Sequence, residues 1–214
     1  MKKLFYIFYL LLIMLACISQ KPEKQEIKFI NEAVAKTKNS GKLVIIEFWA
    51  PDCVTSVRLK DDIFENTKNS QFLNDNFYLT KVSADNPLYE PLWKHFRLEH
   101  RNSVIILDQN GNEIERTASY DGNKDAFVKF LKEVSSGKNL YNVVLSAYKR
   151  DTMDVLNNYL LANKLLLRYS VKDAIKKYNN VLVFDTHDLL GLNRECRFKI
   201  DECRSMLMKS SEIQ

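Results

Sequence analysis

The sequence predicts an α/β domain followed by an all-α extension. Two observations carry this. Short runs rich in apolar and β-branched residues alternate with stretches of helical periodicity as far as about residue 136. Beyond Gly137, glycine and turn signals thin out and residues 141–210 read as helices throughout.

The chain begins with MKKLFYIFYLLLIMLAC. Lys2 and Lys3 form a positive start, and the apolar run 4–16 is shorter than the roughly 20 residues a membrane-spanning helix needs. It reads as an export signal. Without Lys2 and Lys3, the 32 basic residues fall to 30 against 27 acidic ones, a net charge of +3. That balance, with no dense basic stripe or basic-aromatic tract, implies no nucleic-acid partner. Residues 18–25 are polar, contain Pro22, and suit a short tether. An apolar fraction of 46% is enough for one ordinary domain with an appendage.

Ile27, Ile30, Ala33 and Val34 recur at helical spacing, and Asn39-Ser40-Gly41 stops that helix. Residues 43–48 form an interior strand whose one charge is Glu47. Pro51 ends it, and 54–66 carries Val57, Leu59, Ile63 and Phe64 at near-helical spacing, with Asp52 and Thr55 as helix-start residues. Cys53 therefore falls at or near a helix N-terminus, where free N–H groups and the helix dipole favour its thiolate. Asn69-Ser70 starts a short helix through Phe72 and Leu73, 77–84 is a strand, and 89–96 a helix. Residues 103–108 and 113–118 are strands joined by the turn Gln109-Asn110-Gly111-Asn112, and 124–134 is a closing helix.

The stretch Trp49-Ala50 followed by Cys53, behind an apolar strand holding a buried acid, resembles the active-site segment of the thioredoxin superfamily. So do the segments Phe72 to Phe77, Thr80-Lys81-Val82 and Leu107 to Gly111. The resemblance covers about residues 25–136 and implies the thioredoxin-like fold, a central mixed sheet flanked by helices. Ser56 stands where the family has its second, resolving cysteine. The motif C-V-T-S is thus a monothiol variant, and the two-cysteine cycle is unavailable to it. Asn102 stands where the family has a cis-proline; a cis bond there would cost roughly 3 kcal/mol, so a trans peptide and an altered groove are expected.

Cys53, Ser56 and Glu47 are the expected catalytic positions, and Trp49, Asp52, Arg101 and Asn102 the expected binding positions. Glu47 either assists proton transfer at the thiol, as the resemblance implies, or is a strand residue paired to a lysine. Arg101 either partners the thiolate or a substrate anion, or is a solvent-facing loop residue. Trp49 is a packing residue beside the site. His100 is a weak candidate base; His95 and His187 are surface or boundary residues. No metal spacing joins the histidines to the cysteines, and no cofactor is implied.

Met14-Leu15-Ala16-Cys17 resembles the lipobox of bacterial lipoproteins, which implies that Cys17 is the lipidated first residue of a protein on the periplasmic or cell-envelope side. Ordinary signal cleavage and retention as an anchor are the alternatives. The units expected are a signal over 1–17, a tether over 18–25, a thioredoxin-like domain over 26–136 and a helical extension over 139–210. Within the last, helices are expected over 154–167, 171–183 and 189–208. Leu161, Ala162, Leu165, Ala174, Tyr178 and Val181 resemble one tetratricopeptide repeat, with Thr186 where that repeat has proline. An unrelated helical extension is the alternative. A single repeat cannot bury its own face, so it is expected to pack on the first domain beneath the last helix. Cys196 and Cys203, seven apart on that helix, lie roughly 10 Å apart along its axis and cannot bridge; they read as small apolar contact residues.

Two functions fit. One is monothiol exchange through Cys53 with exported proteins bearing thiols, on a chain held to the membrane by its lipid. The other is a redox-inactive thioredoxin-fold binding module tethered to the membrane.

Overall fold

The strand β1 (Leu43–Trp49) is the axis of the molecule, and Val44, Ile45, Ile46 and Phe48 along it are wholly buried. A strand reads as a near-continuous apolar run when both faces of the sheet are covered, and helices cover both here. The computed structural model describes residues 24–99, 102–117 and 120–212. The sequence expectations at Cys17, His100, Arg101 and Ala118, and the signal and most of the tether, lie outside those residues.

Helix α1 (Gln25–Ala35) precedes β1. After β1 come α2 (Val54–Leu59), a π-helical turn over Lys60–Phe64, α3 (Thr67–Asn76) and β2 (Phe77–Ser83). Then follow α4 (Tyr89–Phe96), β3 (Val104–Leu107), β4 (Glu113–Thr117) and α5 (Lys124–Ser135). The sheet order is β2-β1-β3-β4, with β1 parallel to β2 and antiparallel to β3, and β3 antiparallel to β4. The parallel pair requires the long crossover through α2 and α3, whereas β3 and β4 need only a hairpin. At the tip of that hairpin Gly111 has φ +80, and an added Cβ would meet Ile30 of α1 at 3.2 Å.

Alternation along β1 divides the core. Ile45 faces Leu59, Ile63, Leu73, Phe77, Val104, Ile106 and Leu131, under α2, α3 and α5. Val44, Ile46 and Phe48 face Ile30, Val82, Leu92, Phe96, Ile105 and Leu107, under α1 and α4.

Three expectations are corrected. The helix expected over 54–66 is not uniform: the N–H of Glu65 bonds back to the carbonyl of Lys60, a five-residue step that defines the π turn. The next helix starts earlier than Asn69-Ser70, because Asn66 caps it by accepting from the N–H of Lys68 at 3.0 Å. The last helix begins at Asn193 rather than residue 189. The Asp185 carboxylate takes the N–H groups of Leu189 and Leu190, and Asp188 takes that of Asn193, so 186–191 is a tight turn.

The extension consists of α6 (Tyr141–Arg150), α7 (Val155–Leu167), α8 (Val171–Phe184) and α9 (Asn193–Glu212). The sequence signals do not separate α6 from its neighbours. Ala162 of α7 packs with Ala174, Tyr178 and Val181 of α8 and with Cys196, Ile200 and Cys203 of α9. Lys164 and Arg168 of α7 reach across to β4. Lys164 pairs with Glu115, whose carboxylate is fully buried, and Arg168 lies 3.3 Å from both Glu115 and Glu113 and over the Tyr141 ring. Desolvated charges hold only when paired, and these pairs tie the extension to the edge strand β4.

Candidate functional site

β1 delivers the chain to Ala50, which is buried, and Pro51-Asp52 turn it sharply so that the N–H of Cys53 bonds to the carbonyl of Ala50 at 3.1 Å. Cys53 has extended backbone angles, φ −100 and ψ 108, and its carbonyl accepts from the N–H of Val57. Cys53, rather than Asp52 or Thr55, is therefore the N-cap residue of α2.

Its thiol is half-buried. The Sγ lies 3.1 Å from the hydroxyl of Thr55. That hydroxyl is the main reason the thiol is held below its ordinary pKa; burial opposes it, and the N–H and hydroxyl of Ser56 add to it. The sequence marks Thr55 only as a helix-start residue. Its chemical role follows from the N-cap geometry, which brings residue i+2 of the first turn back over the capping side chain.

Ser56 is 1% exposed, and its Oγ accepts from the N–H of Ala50 at 3.4 Å. The hydroxyl at the resolving position thus closes the turn that carries Cys53. Glu47 lies on the strand behind, fully buried, and the Lys81 ammonium is 3.5 Å from its carboxylate without hydrogen-bond alignment. Burial pushes the Glu47 carboxyl above its usual range and the Lys81 charge pulls it back. Of the two expectations for Glu47, the structure shows the pairing to a lysine. Lys81 faces Glu47 through the parallel register and lies 5.3 Å from the Trp49 ring centroid.

Trp49 is half-buried and its indole N–H finds no partner among the described residues; the same is true of the Asn102 amide nitrogen, on a side chain only 4% exposed. Asp52 is exposed on the turn. The Arg101–Asn102 bond involves a residue outside those described. His95 and His187 are exposed. Val54, next to the thiol, is 66% exposed, an apolar group on the open side of the site. Among the described residues no group of three or more His, Cys, Asp or Glu could hold a metal ion, and no helix is long and apolar enough to cross a membrane.

Cys196 and Cys203 are fully buried and free. Burial pushes the Cys196 thiol up to about 11 and raises that of Cys203, so neither competes with Cys53 as a nucleophile.

Residues 25–107 match the protein family described as Thioredoxin-like, a span running from α1 to the end of β3 and holding Cys53. These residues have the thioredoxin-like fold. The solved structures similar to this chain include a thioredoxin from Thermus thermophilus, at 21% identity and a TM-score of 0.42, covering 48% of this chain and 81% of that one. A DsbH oxidoreductase is similar at 16% identity and a TM-score of 0.42, covering 49% of this chain and 80% of that one. A disulphide isomerase from Xylella fastidiosa Temecula1 follows at 19% identity and a TM-score of 0.41, covering 53% and 96%. No curated protein matches the chain. In this fold the candidate positions are the thiol of Cys53, the Thr55 hydroxyl 3.1 Å from it, and the buried pair of Glu47 and Lys81.

Proposed function

We propose that the protein carries out thiol–disulfide exchange of the monothiol type through Cys53. The observation that carries the reading is the Cys53 Sγ, half-exposed at a helix N-cap and 3.1 Å from the Thr55 hydroxyl, an arrangement that stabilises the attacking thiolate. The thiolate attacks one sulfur of a disulfide, forming the Cys53 mixed disulfide and expelling the other sulfur as a thiolate that takes up a proton. Ser56 cannot attack that mixed disulfide, so an external thiol releases Cys53 in a second exchange. The substrates are exported proteins bearing thiols or disulfides. The export signal and the lipobox-like Met14 to Cys17 support a lipid-anchored protein on the periplasmic or cell-envelope side. The helical extension is read as one tetratricopeptide-like unit, supported by the small buried residues Ala162 and Ala174 between α7 and α8.

The test is trapping. The full-length protein is incubated with a disulfide-containing protein substrate, and the Cys53 adduct is identified by mass spectrometry of the proteolytic fragment. The expected result is an adduct at Cys53 that releases one substrate thiol per protein and is lost on adding an external thiol. No adduct in the folded protein would overturn the reading and favour the binding module, for which the Ser56 lock on Ala50 speaks. Stoichiometric release of both thiols of an insulin disulfide by the pre-reduced protein, leaving Cys53 in an internal disulfide, would overturn the monothiol assignment.

A further inference from the structure

On the side away from β4 the sheet ends in an open strand. β2 (Phe77–Ser83) is the outer strand there, and among the described residues no other strand pairs with its outer edge. It runs seven residues in unbroken register with β1. One bond fixes which groups point outward. The N–H of Ala84 reaches the carbonyl of Trp49 at 2.8 Å, so Ala84 turns its backbone groups toward β1. The N–H and C=O of a strand residue point to the same side, and that side alternates, so Val82, Thr80 and Tyr78 face β1 as well. Phe77, Leu79, Lys81 and Ser83 point theirs outward. Leu79, at 38%, and Lys81 are the exposed residues of the strand, as an open edge requires. Among the described residues no turn or cap bonds to the outward groups of Leu79 or Lys81, whereas the carbonyl of Ser83 accepts from the N–H of Asn86 at 2.9 Å.

An unpaired edge of this length, rich in β-branched and aromatic residues and free of proline and bulges, is a template for another strand. Lysine on an edge ordinarily guards against this, because its charge resists burial beside an incoming chain. Here Lys81 is turned to its own chain, 3.5 Å from the Glu47 carboxylate and 5.3 Å from the Trp49 ring centroid, so its charge is already answered. The edge also complements itself. Antiparallel pairing of two copies about a two-fold axis at Thr80 overlaps the whole strand and makes Leu79 and the partner's Lys81 a hydrogen-bonded pair, twice over by symmetry. It sets Thr80 opposite Thr80 and Tyr78 opposite Val82, the Thr–Thr and aromatic–β-branched pairs that favour association, and it keeps the two Lys81 side chains from facing each other. We propose that the protein forms a homodimer through β2, joining two four-stranded sheets into one continuous sheet. The register in which every residue meets a favourable counterpart selects a second copy as the occupant of the edge. Because the copies run antiparallel, their Cys53 thiols lie at opposite ends of the joined sheet, and the dimer does not rest on the thiol chemistry.

The experiment measures the protein mass of the full chain in mild detergent by light scattering over a dilution series, under reducing conditions. The wild type is expected at twice the monomer mass. Leu79→Lys places a second lysine opposite the partner's Lys81 on both sides of the axis and should raise the dissociation constant roughly tenfold or more. Leu79→Pro removes only an outward N–H, which an edge strand tolerates, and should weaken the dimer as well. The register is read by oxidative cross-linking in a Cys53→Ser background. Thr80→Cys brings two sulfurs together across the axis, where opposed Cα atoms of a non-hydrogen-bonded pair lie about 4.5 Å apart, and should link the copies; Leu79→Cys, facing Lys81, should not. A monomeric wild type overturns the proposal, and protection of the Leu79 and Lys81 amides from hydrogen exchange in that monomer would mean that the chain's own residues before α1 cover the edge. A dimer that Leu79→Lys leaves unchanged overturns it too, by placing the contact elsewhere, as does a dimer lost in Cys53→Ser. If Leu79→Pro does not fold, Leu79→Lys and the cross-links decide. Mass and cross-linking are independent of exchange at Cys53, so either reading can fail while the other stands.

Discussion

Replacing Thr55 by valine removes one oxygen from the site and keeps the shape of the side chain. In the wild type that oxygen sits 3.1 Å from the Cys53 sulfur and is the first cause of its lowered pKa. A hydrogen bond to a charged acceptor contributes roughly 1.5–3 kcal/mol when shielded. The Cys53 thiol is partly open to water, which competes for it, so about 1–1.5 kcal/mol is expected, close to one pKa unit at 1.36 kcal/mol per unit. At pH values well below the thiol's midpoint the thiolate fraction then falls roughly tenfold. The remaining thiolate is a better nucleophile by a factor of about three, because nucleophilicity rises with basicity, so the observed alkylation rate falls about threefold to fourfold. The assay is the pH dependence of iodoacetamide labelling, quantified on the Cys53 peptide by mass spectrometry. Thr55→Ser, which keeps the hydroxyl, should stay near the wild type. Superimposable pH profiles for the wild type and Thr55→Val would refute the assignment of Thr55 as the thiolate's partner.

Glu47→Gln tests the buried acid through linkage. A carboxyl whose pKa is higher folded than unfolded binds more protons in the native state, so stability is greatest below the unfolded value of about 4.3 and falls as pH rises through the native one. Denaturant melts should show this decline in the wild type and its loss in Glu47→Gln; parallel pH slopes would contradict it. Glu115→Ala leaves Lys164 and Arg168 facing each other without their shared anion and should cost about 3–5 kcal/mol, read as a lower urea midpoint. Ala174→Leu inserts three carbons into the fully buried α7–α8 contact and should cost about 1–3 kcal/mol by overpacking, measured by thermal unfolding; an unchanged midpoint would mean the helices separate freely.

The sequence by itself determined the parts whose signals are local. A run such as Leu43 to Trp49 can only be a buried strand, the Asp108 to Asn112 turn closes a hairpin, and Cys53 follows Pro51 at the head of a periodic apolar stretch. The same local period placed Cys196 and Cys203 on the buried face of α9. What the tertiary structure decided was partnership across elements. Lys81 meets Glu47 only through a parallel register that no spacing within either strand encodes. The hydroxyl of Tyr120 reaches Asp62, 58 residues away, and Glu115 is held by Lys164 and Arg168 across about 50 residues. Whether Ser56 is free to act or spent on the backbone of Ala50 likewise depended on how tightly the turn folds back. Periodicity fixes which face a side chain occupies, because it is a property of one element. Which group it finds there depends on how the elements pack, and at this site that choice sets the charge on both the thiol and the acid.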